Sequence, residues 1–304
     1  MLDYRIETFM NLCQTKSYTA TSKALNITQP AVSGHIRYLE QYYGVKLADY
    51  KNRQFTLTAE GEFLYREMVK VSSLSKGISR KIKEIHGNEN FKKIVLSSNM
   101  TMGEYVLPSL VASYSRLHPD HRLCTYIASG KDMEDLLNNG KIDYAIVDAY
   151  AVPQGMDKEI FTQDYIYCVC NPKHPLAGQT VSLADLKSED IIFREKNAAA
   201  NNVQRHLFAH HGYNWDEFYI ALEAGSMFAI ERYLEEIPAI SFIYAVAAIP
   251  AIEAGRLSRI YVPELKEAID YYFVFPDRNC LSKEAVEFME FTQSGQALPT
   301  VSWD

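Results

Sequence analysis

Gln29, Ser33 and Arg37 share one side of a small-sided segment, with Pro30 and Gly34 between them. An amide and a hydroxyl can hydrogen-bond base edges, and a guanidinium can reach phosphate. Small neighbours allow close approach in a major groove. Thr28 can cap a helix that begins here, and Pro30 in its first turn loses no needed hydrogen bond. Thr19 can cap the preceding helix and joins the candidate DNA contacts. Further along, Ser98, Asn99 and Thr101 lie between an apolar run and a helical pattern. They offer hydroxyl and amide groups at a positive helix end, where an anion is stabilised. Thr101 can also cap that helix, and the two roles are compatible. No GxSxG, HExxH or P-loop pattern occurs, so no catalytic role and no cofactor is expected. His206, His210 and His211 share one helical segment, whose i, i+4 spacing can bind a metal. No carboxylate or thiol completes the set nearby, which predicts a surface histidine cluster and no metal site.

These groups need elements to hold them. Residues 17–40 read as two short helices joined by a turn at Asn26-Ile27-Thr28. The second places Val32, Ile36, Leu39 and Tyr43 on one stripe, opposite Pro30, Ser33, Gly34 and Arg37. An earlier helix over residues 3–15 turns Ile6, Phe9, Met10 and Cys13 inward. Residues 45–58 read as a wing of two small strands around Asn52-Arg53, with Lys51 and Arg53 as candidate phosphate contacts. From Thr58 to about His86, Leu64, Met68, Val71, Ser75, Ile78, Ile82 and Ile85 step alternately by four and three. That is a coiled-coil heptad, and its apolar stripe needs a second helix. Pairing of two copies is the preferred reading over packing on the chain's own C-terminal part. Gly87-Asn88 ends the helix.

Strands and helices then alternate. A strand in 93–98, a helix lined by Leu107, Leu110, Val111, Tyr114 and Leu117, and a strand at 122–128 lead into a helix at 133–140 and a strand at 143–149. This βαβαβ order predicts a parallel sheet covered by helices. A second alternating set starts at 164, and a final strand at 270–275 and helix at 283–293 follow. Ligands of such sheets sit at the carboxyl ends of strands. Four loops qualify: 97–101; the Gly130, Lys131 loop; the loop of Arg194 and Asn197; and the loop of Met227. Lys131 can favour an anion or simply be solvated.

The pattern Ala20, Ala24, Leu25, Gln29-Pro30-Ala31-Val32-Ser33, Ile36, Leu39-Glu40 and Gly44 resembles the winged helix-turn-helix of LysR-type transcriptional regulators. Leu57-Thr58-Ala59-Glu60-Gly61 extends it. The resemblance is specific over the first 65 or so residues and looser beyond. It implies an α+β multidomain protein: a winged helix-turn-helix over 1–58, a long coiled-coil linker helix over 59–88, and a two-lobed α/β periplasmic-binding-protein-like effector domain over 89–304. Lobe I would take about 90–162 and 269–304, the last strand and helix returning to it; lobe II would take about 163–268. It further implies double-stranded DNA, a small-molecule effector and a second copy as partners, with homodimers and homotetramers expected. The family's effector loop places a Ser or Thr on a carboxylate, which Thr101 matches best. The chain departs from the pattern at Ala48 and Tyr50, at Ala198-Ala199-Ala200 and at Pro238.

Composition sharpens these expectations. Net charge is −7, but residues 1–86 carry 13 Lys and Arg against 8 Asp and Glu. An acidic body with a basic head is the asymmetry of a nucleic-acid binder. No apolar run approaches the ~18 residues of a membrane span. No charged-then-apolar leader opens the chain, so a cytoplasmic protein is expected. The five cysteines have no zinc spacing, and Cys168 and Cys170 two apart on a strand predict reduced core thiols over a redox pair.

Overall fold

The structure, a computed structural model, describes residues 2–51, 54–86, 92–195, 199–293 and 301–303. The head begins with α1, Tyr4–Thr15, opened by the Asp3 carboxylate accepting from the Arg5 amide. Lys16, in the left-handed region at φ 52°, ends α1 and turns the chain. The cap of α2, Tyr18–Ala24, is therefore Ser17, whose hydroxyl accepts from the Ala20 amide at 3.2 Å. Thr19, the expected cap, lies inside the helix and exposed, its carbonyl accepting from the Ser22 hydroxyl. Thr28 does cap α3, Gln29–Tyr43, and Gly44 at φ 72° ends it. Val32, Ile36 and Leu39 are buried, the latter two in one core with Ile6, Phe9, Met10, Leu12 and Cys13. Tyr43, expected on the same stripe, is instead exposed. It lines an apolar groove of about 470 Å³ with Val45 and Phe63.

The wing is an antiparallel pair, β1 (Ala48–Lys51) and β2 (Gln54–Leu57), with Ala48 opposite Leu57 and Lys51 opposite Gln54. Arg53 and Asn52 lie outside the described residues. Thr58 then opens α4, Ala59–His86, by accepting from the Gly61 amide. Gly61 is required there, because a Cβ would sit 1.9 Å from the Leu47 carbonyl oxygen. At 28 residues α4 is about 42 Å long. Its first turns pack Leu64 and Met68 on the head. Farther on, the small buried side chains Ser72 and Ser73 and the bond from Lys76 to the Asn139 side chain mark the face turned to the body. The rest of the apolar heptad points elsewhere: Val71, Ile78 and Ile82 are 42%, 53% and 61% exposed. The chain's own C-terminal part thus leaves this stripe uncovered.

The body opens with β3, Lys92–Ser98, then a π-helical turn at Met102–Val106, α5 (Leu107–Leu117), β4 (His121–Ile127), α6 (Gly130–Asn138) and β5 (Tyr144–Asp148). Leu117 is exposed because α5 ends there, beyond the core. The chain continues through β6 (Asp157–Asp164), β7 (Ile166–Cys170), β8 (Ile191–Arg194), α7 (Ala199–His210), β9 (Ile220–Ala224), α8 (Met227–Glu236), β10 (Ile240–Tyr244), α9 (Ala245–Glu253), β11 (Ser258–Ile260), β12 (Ile269–Phe275) and α10 (Lys283–Gln293). Two five-stranded sheets result, ordered β4-β3-β5-β12-β6 and β11-β7-β10-β8-β9. The first is mixed rather than parallel. β3 runs parallel to β4 and β5, but β12 enters between β5 and β6 antiparallel to both. The chain passes between sheets twice, at Tyr165 and in the connection from β11 to β12. β6 escapes a sequence reading because it is a polar edge strand.

Cys13, Cys168 and Cys170 are buried free thiols. Burial pushes Cys13 and Cys170 up to about 12, and Cys168 well above its ordinary value, which keeps them protonated and unreactive.

Asp164 ends β6 at the first crossing. Its Oδ1 accepts from the amides of Tyr165 and Val246, tying the crossing to the start of α9, while Oδ2 is buried without a partner among the described residues. Burial pushes its pKa from 3.8 to about 7. Between those values the fold holds a proton that the unfolded chain has released. Stability therefore falls as pH rises from about 4 to about 7, with a penalty on the order of 4 kcal/mol complete above that window. Asp164→Asn keeps the Oδ1 acceptor and removes the charge. Urea unfolding should find the variant more stable than the parent at pH 8, with the difference shrinking toward pH 5. A gap that widened on acidification would contradict this burial cost.

Candidate nucleic-acid interface and effector cleft

α3 presents two unlike sides. Val32, Ile36 and Leu39 face the head's core, while Gln29, Pro30, Gly34 and Arg37 are exposed and Ser33 is half-buried. A Cβ added at Gly34 would meet nothing within 4 Å, so this side is open enough for another backbone to approach. Thr28 takes the Ala31 amide with its hydroxyl and the Val32 amide with its carbonyl, and Pro30 in the first turn has no N–H to satisfy. Thr19 is exposed on α2. Farther along α3, the Arg5 guanidinium lies 3.7 Å over the Tyr38 ring and pairs with Asp3 at 2.8 Å. His35 is held by a 2.9 Å hydrogen bond between Nδ1 and the Thr8 hydroxyl. Sequence periodicity gives no sign of the Arg5–Tyr38 stack, which crosses between helices.

The second constellation lies where the two sheets meet. Ser98 ends β3 with its hydroxyl fully buried and without a hydrogen-bond partner; the Ser97 hydroxyl is in the same state. The Asn99 side-chain oxygen accepts from the Met102 amide at 3.0 Å, so Asn99 and not Thr101 holds the start of the following helix. Thr101 is buried and makes no side-chain cap bond. Facing this loop from the other sheet is Arg194, 5% exposed. Its Nη1 lies 3.4 Å from the Met100 sulfur and its Nη2 3.7 Å from Glu195, while its Nε has no partner among the described residues. Burial pulls the guanidinium below its ordinary pKa. A nearly buried cation with an unpaired Nε, set against the Met100 thioether in the loop that follows the orphan Ser98 hydroxyl, is an arrangement that an anion would complete. Met227 is buried in the first turn of α8, which Ser226 caps, within an apolar cluster that Tyr105 of the opposite lobe flanks.

The other two loops fall differently. Gly130, at φ 53°, follows β4 on the loop neighbouring Ser98, since the Ala128 amide bonds the Ser98 carbonyl. Lys131 lines a groove of about 490 Å³ with Glu7, Asn11, Lys76 and Asp135, turned toward the head. Asn197 lies outside the described residues.

Several groups in this region have no local sequence signal. The Tyr105 hydroxyl donates to Glu231 at 2.9 Å across the lobes, and burial with that carboxylate raises its pKa. Asp148, buried at the end of β5, accepts from Asn99, and burial raises its pKa. Its place at a strand's carboxyl end was a readable clue. The histidine helix also differs from expectation. Glu267, far along the chain, sits 3.1 Å from His210 Nδ1, supplying the carboxylate that no neighbour in sequence offers, while His206 stacks on Tyr150.

Residues 4–62 match the family described as "Bacterial regulatory helix-turn-helix protein, lysR family", and residues 87–297 match "LysR substrate binding domain". The chain belongs to the LysR family. It is a LysR-type transcriptional regulator with a DNA-binding head and an effector-binding body. Among its relatives is the HTH-type transcriptional regulator CysL of Bacillus subtilis, 28% identical over 214 residues, or 68% of this chain and 69% of that protein. The regulatory domain of Synechocystis CcmR, solved in complex with 2-PG, superposes with a TM-score of 0.59 at 19% identity, covering 67% of this chain and 96% of that one. Full-length CbnR, solved with its target DNA, gives 0.55 at 19% identity, covering 97% and 99%. This regulator shares the fold of full-length CbnR from head to body and that of the CcmR domain over its body. Among the described residues no helix is long and apolar enough to cross a membrane.

Proposed function

We propose that this LysR-type regulator reads duplex DNA by laying the leading half of α3 in the major groove, with Gln29 and Ser33 toward base edges and Arg37 toward phosphate. Thr28 borders a second phosphate, and Pro30 and Gly34 permit close approach. Thr19 flanks this surface from α2, and Arg53 is a further phosphate contact in this reading. The observation that carries the reading is the contrast on α3: three buried aliphatic side chains on one side, and small or polar exposed ones on the other. Two heads act together because α4 pairs with a second copy through Val71, Ile78 and Ile82, and dimers can pair again into tetramers. The units are 1–58, 59–88 and 89–304, with lobes at about 90–162 plus 269–304 and at about 163–268.

The effector is a small anion held between the lobes by Ser98, Asn99, Thr101 and Arg194, with the Gly130 loop beside it and Met227 as an apolar wall. Lys131, on the head side of α6, stands apart from this set. Binding biases lobe closure, which alters head spacing as a population shift. The cleft serves recognition rather than a reaction, and the protein works in the cytoplasm.

Thermal-shift screening against small carboxylates and phosphates tests the effector half. A binding anion should raise the melting temperature of the parent protein. Arg194→Gln should weaken that anion roughly 10–100-fold, the usual worth of a charged hydrogen bond, while folding to the same melting temperature or higher without it. An undiminished shift in the variant would remove Arg194 from the site.

A further inference from the structure

We propose that His210, His211 and Glu267 form a binding site for a divalent transition-metal cation such as Zn²⁺. His210 ends α7, His211 follows it, and Glu267 lies in the connection that leads from β11 into β12. The His210 Nδ1 atom is 3.1 Å from Glu267. The His211 Nε2 atom is 4.0 Å from the same carboxylate, too far for a hydrogen bond, and it is buried without a partner among the described residues. One ligand atom from each of the three residues lies within 4.8 Å of the others. Tetrahedral Zn²⁺ with bonds of about 2.0–2.1 Å sets its ligand atoms roughly 3.3 Å apart, so small side-chain rotations suffice. Two imidazoles and one carboxylate favour Zn²⁺, Co²⁺ or Ni²⁺ over Mg²⁺ or Ca²⁺, and they leave one position for water. A bound ion would also give the orphaned His211 nitrogen a partner.

The place gives the ion a role. α7 packs on β8 of the second sheet, and its His206 ring stacks at 5.0 Å on Tyr150, just beyond β5 of the first. Glu267 stands on one of the two crossings between sheets. The ion would thus join a helix of one lobe to the crossing segment and stiffen the junction. A second cluster, His118, His121 and Glu287, is less suited. Its His118 and His121 rings stack at 29°, so their lone pairs run side by side instead of converging.

Calorimetric titration of tag-free, chelator-stripped, full-length protein with ZnCl₂ under reducing conditions decides it, with melting temperatures recorded beside it. The parent should take one Zn²⁺ per chain at this site and melt higher with it. His211→Ala and Glu267→Gln should each weaken binding by at least about 100-fold, more than loss of an outer-shell group would, and keep the zinc-free melting temperature. His118→Ala should match the parent. Absence of micromolar binding in the parent, parent-like binding in both site variants, or loss confined to His118→Ala would each overturn the proposal.

Discussion

Ser33→Glu abolishes operator binding and leaves the fold intact. Ser33 sits half-buried among Gln29, Pro30, Gly34 and Arg37 on the side of α3 turned away from the core. Ser33 is half-buried rather than part of the core, and the adjacent Gly34 faces open space. Brought into a groove walled by phosphates, the new carboxylate repels charge at every contact and displaces a hydroxyl from the base edges. One charge at about 4 Å is worth roughly 1–4 kcal/mol, so specific affinity should fall on the order of 100-fold or more. Anisotropy titrations with the regulator's upstream DNA, beside circular dichroism of the variant, separate binding from folding. Parent-like affinity would show that another side of the head meets DNA.

Ile78→Asp separates the two protomers. Ile78 and Ile82 lie one turn apart on the exposed stripe of α4, at 53% and 61% exposure. Each fully buried isoleucine is worth about 1.5–3 kcal/mol, and a symmetric pair loses the contribution twice. A buried aspartate adds the desolvation of an unpaired charge. The dimer dissociation constant should rise by at least about 100-fold, which sedimentation velocity at micromolar protein resolves. The isolated chain keeps its melting behaviour, since this side chain touches solvent within one protomer. An intact dimer would place the principal interface elsewhere, with the groove of Tyr43, Val45 and Phe63 as the next surface to alter.

Much of this was legible in the sequence because it is periodic or local. The buried stripe Val32, Ile36, Leu39 and the Thr28 cap depend on neighbours within two turns, and both are present in the fold. The cap at Ser17 was missed because it depends on Lys16 adopting a left-handed conformation, which residue type does not reveal. The alternation of β3, α5, β4, α6 and β5 was readable, but the antiparallel entry of β12 depends on how the chain returns, not on its pattern. For the candidate effector site the strand-end rule pointed to the loops of Ser98, Asn99 and Thr101 and of Arg194, at the ends of β3 and β8. It could not find that Asn99 caps the helix and frees Thr101, nor that Tyr105 meets Glu231 across the lobes, 126 positions away. Glu267 beside His210 is the same lesson, since a constellation assembled across 57 positions leaves no local trace.

Selection of binding sites from random duplexes by the full-length regulator tests the central claim most directly. Paired α3 helices on an α4 dimer predict an enriched motif of two dyad-related half-sites, their centres separated by about 10 base pairs or a multiple of it, and its disappearance with Ser33→Glu. Enrichment of a single unpaired half-site, binding without sequence preference, or an unchanged motif from the Ser33→Glu variant would contradict the account.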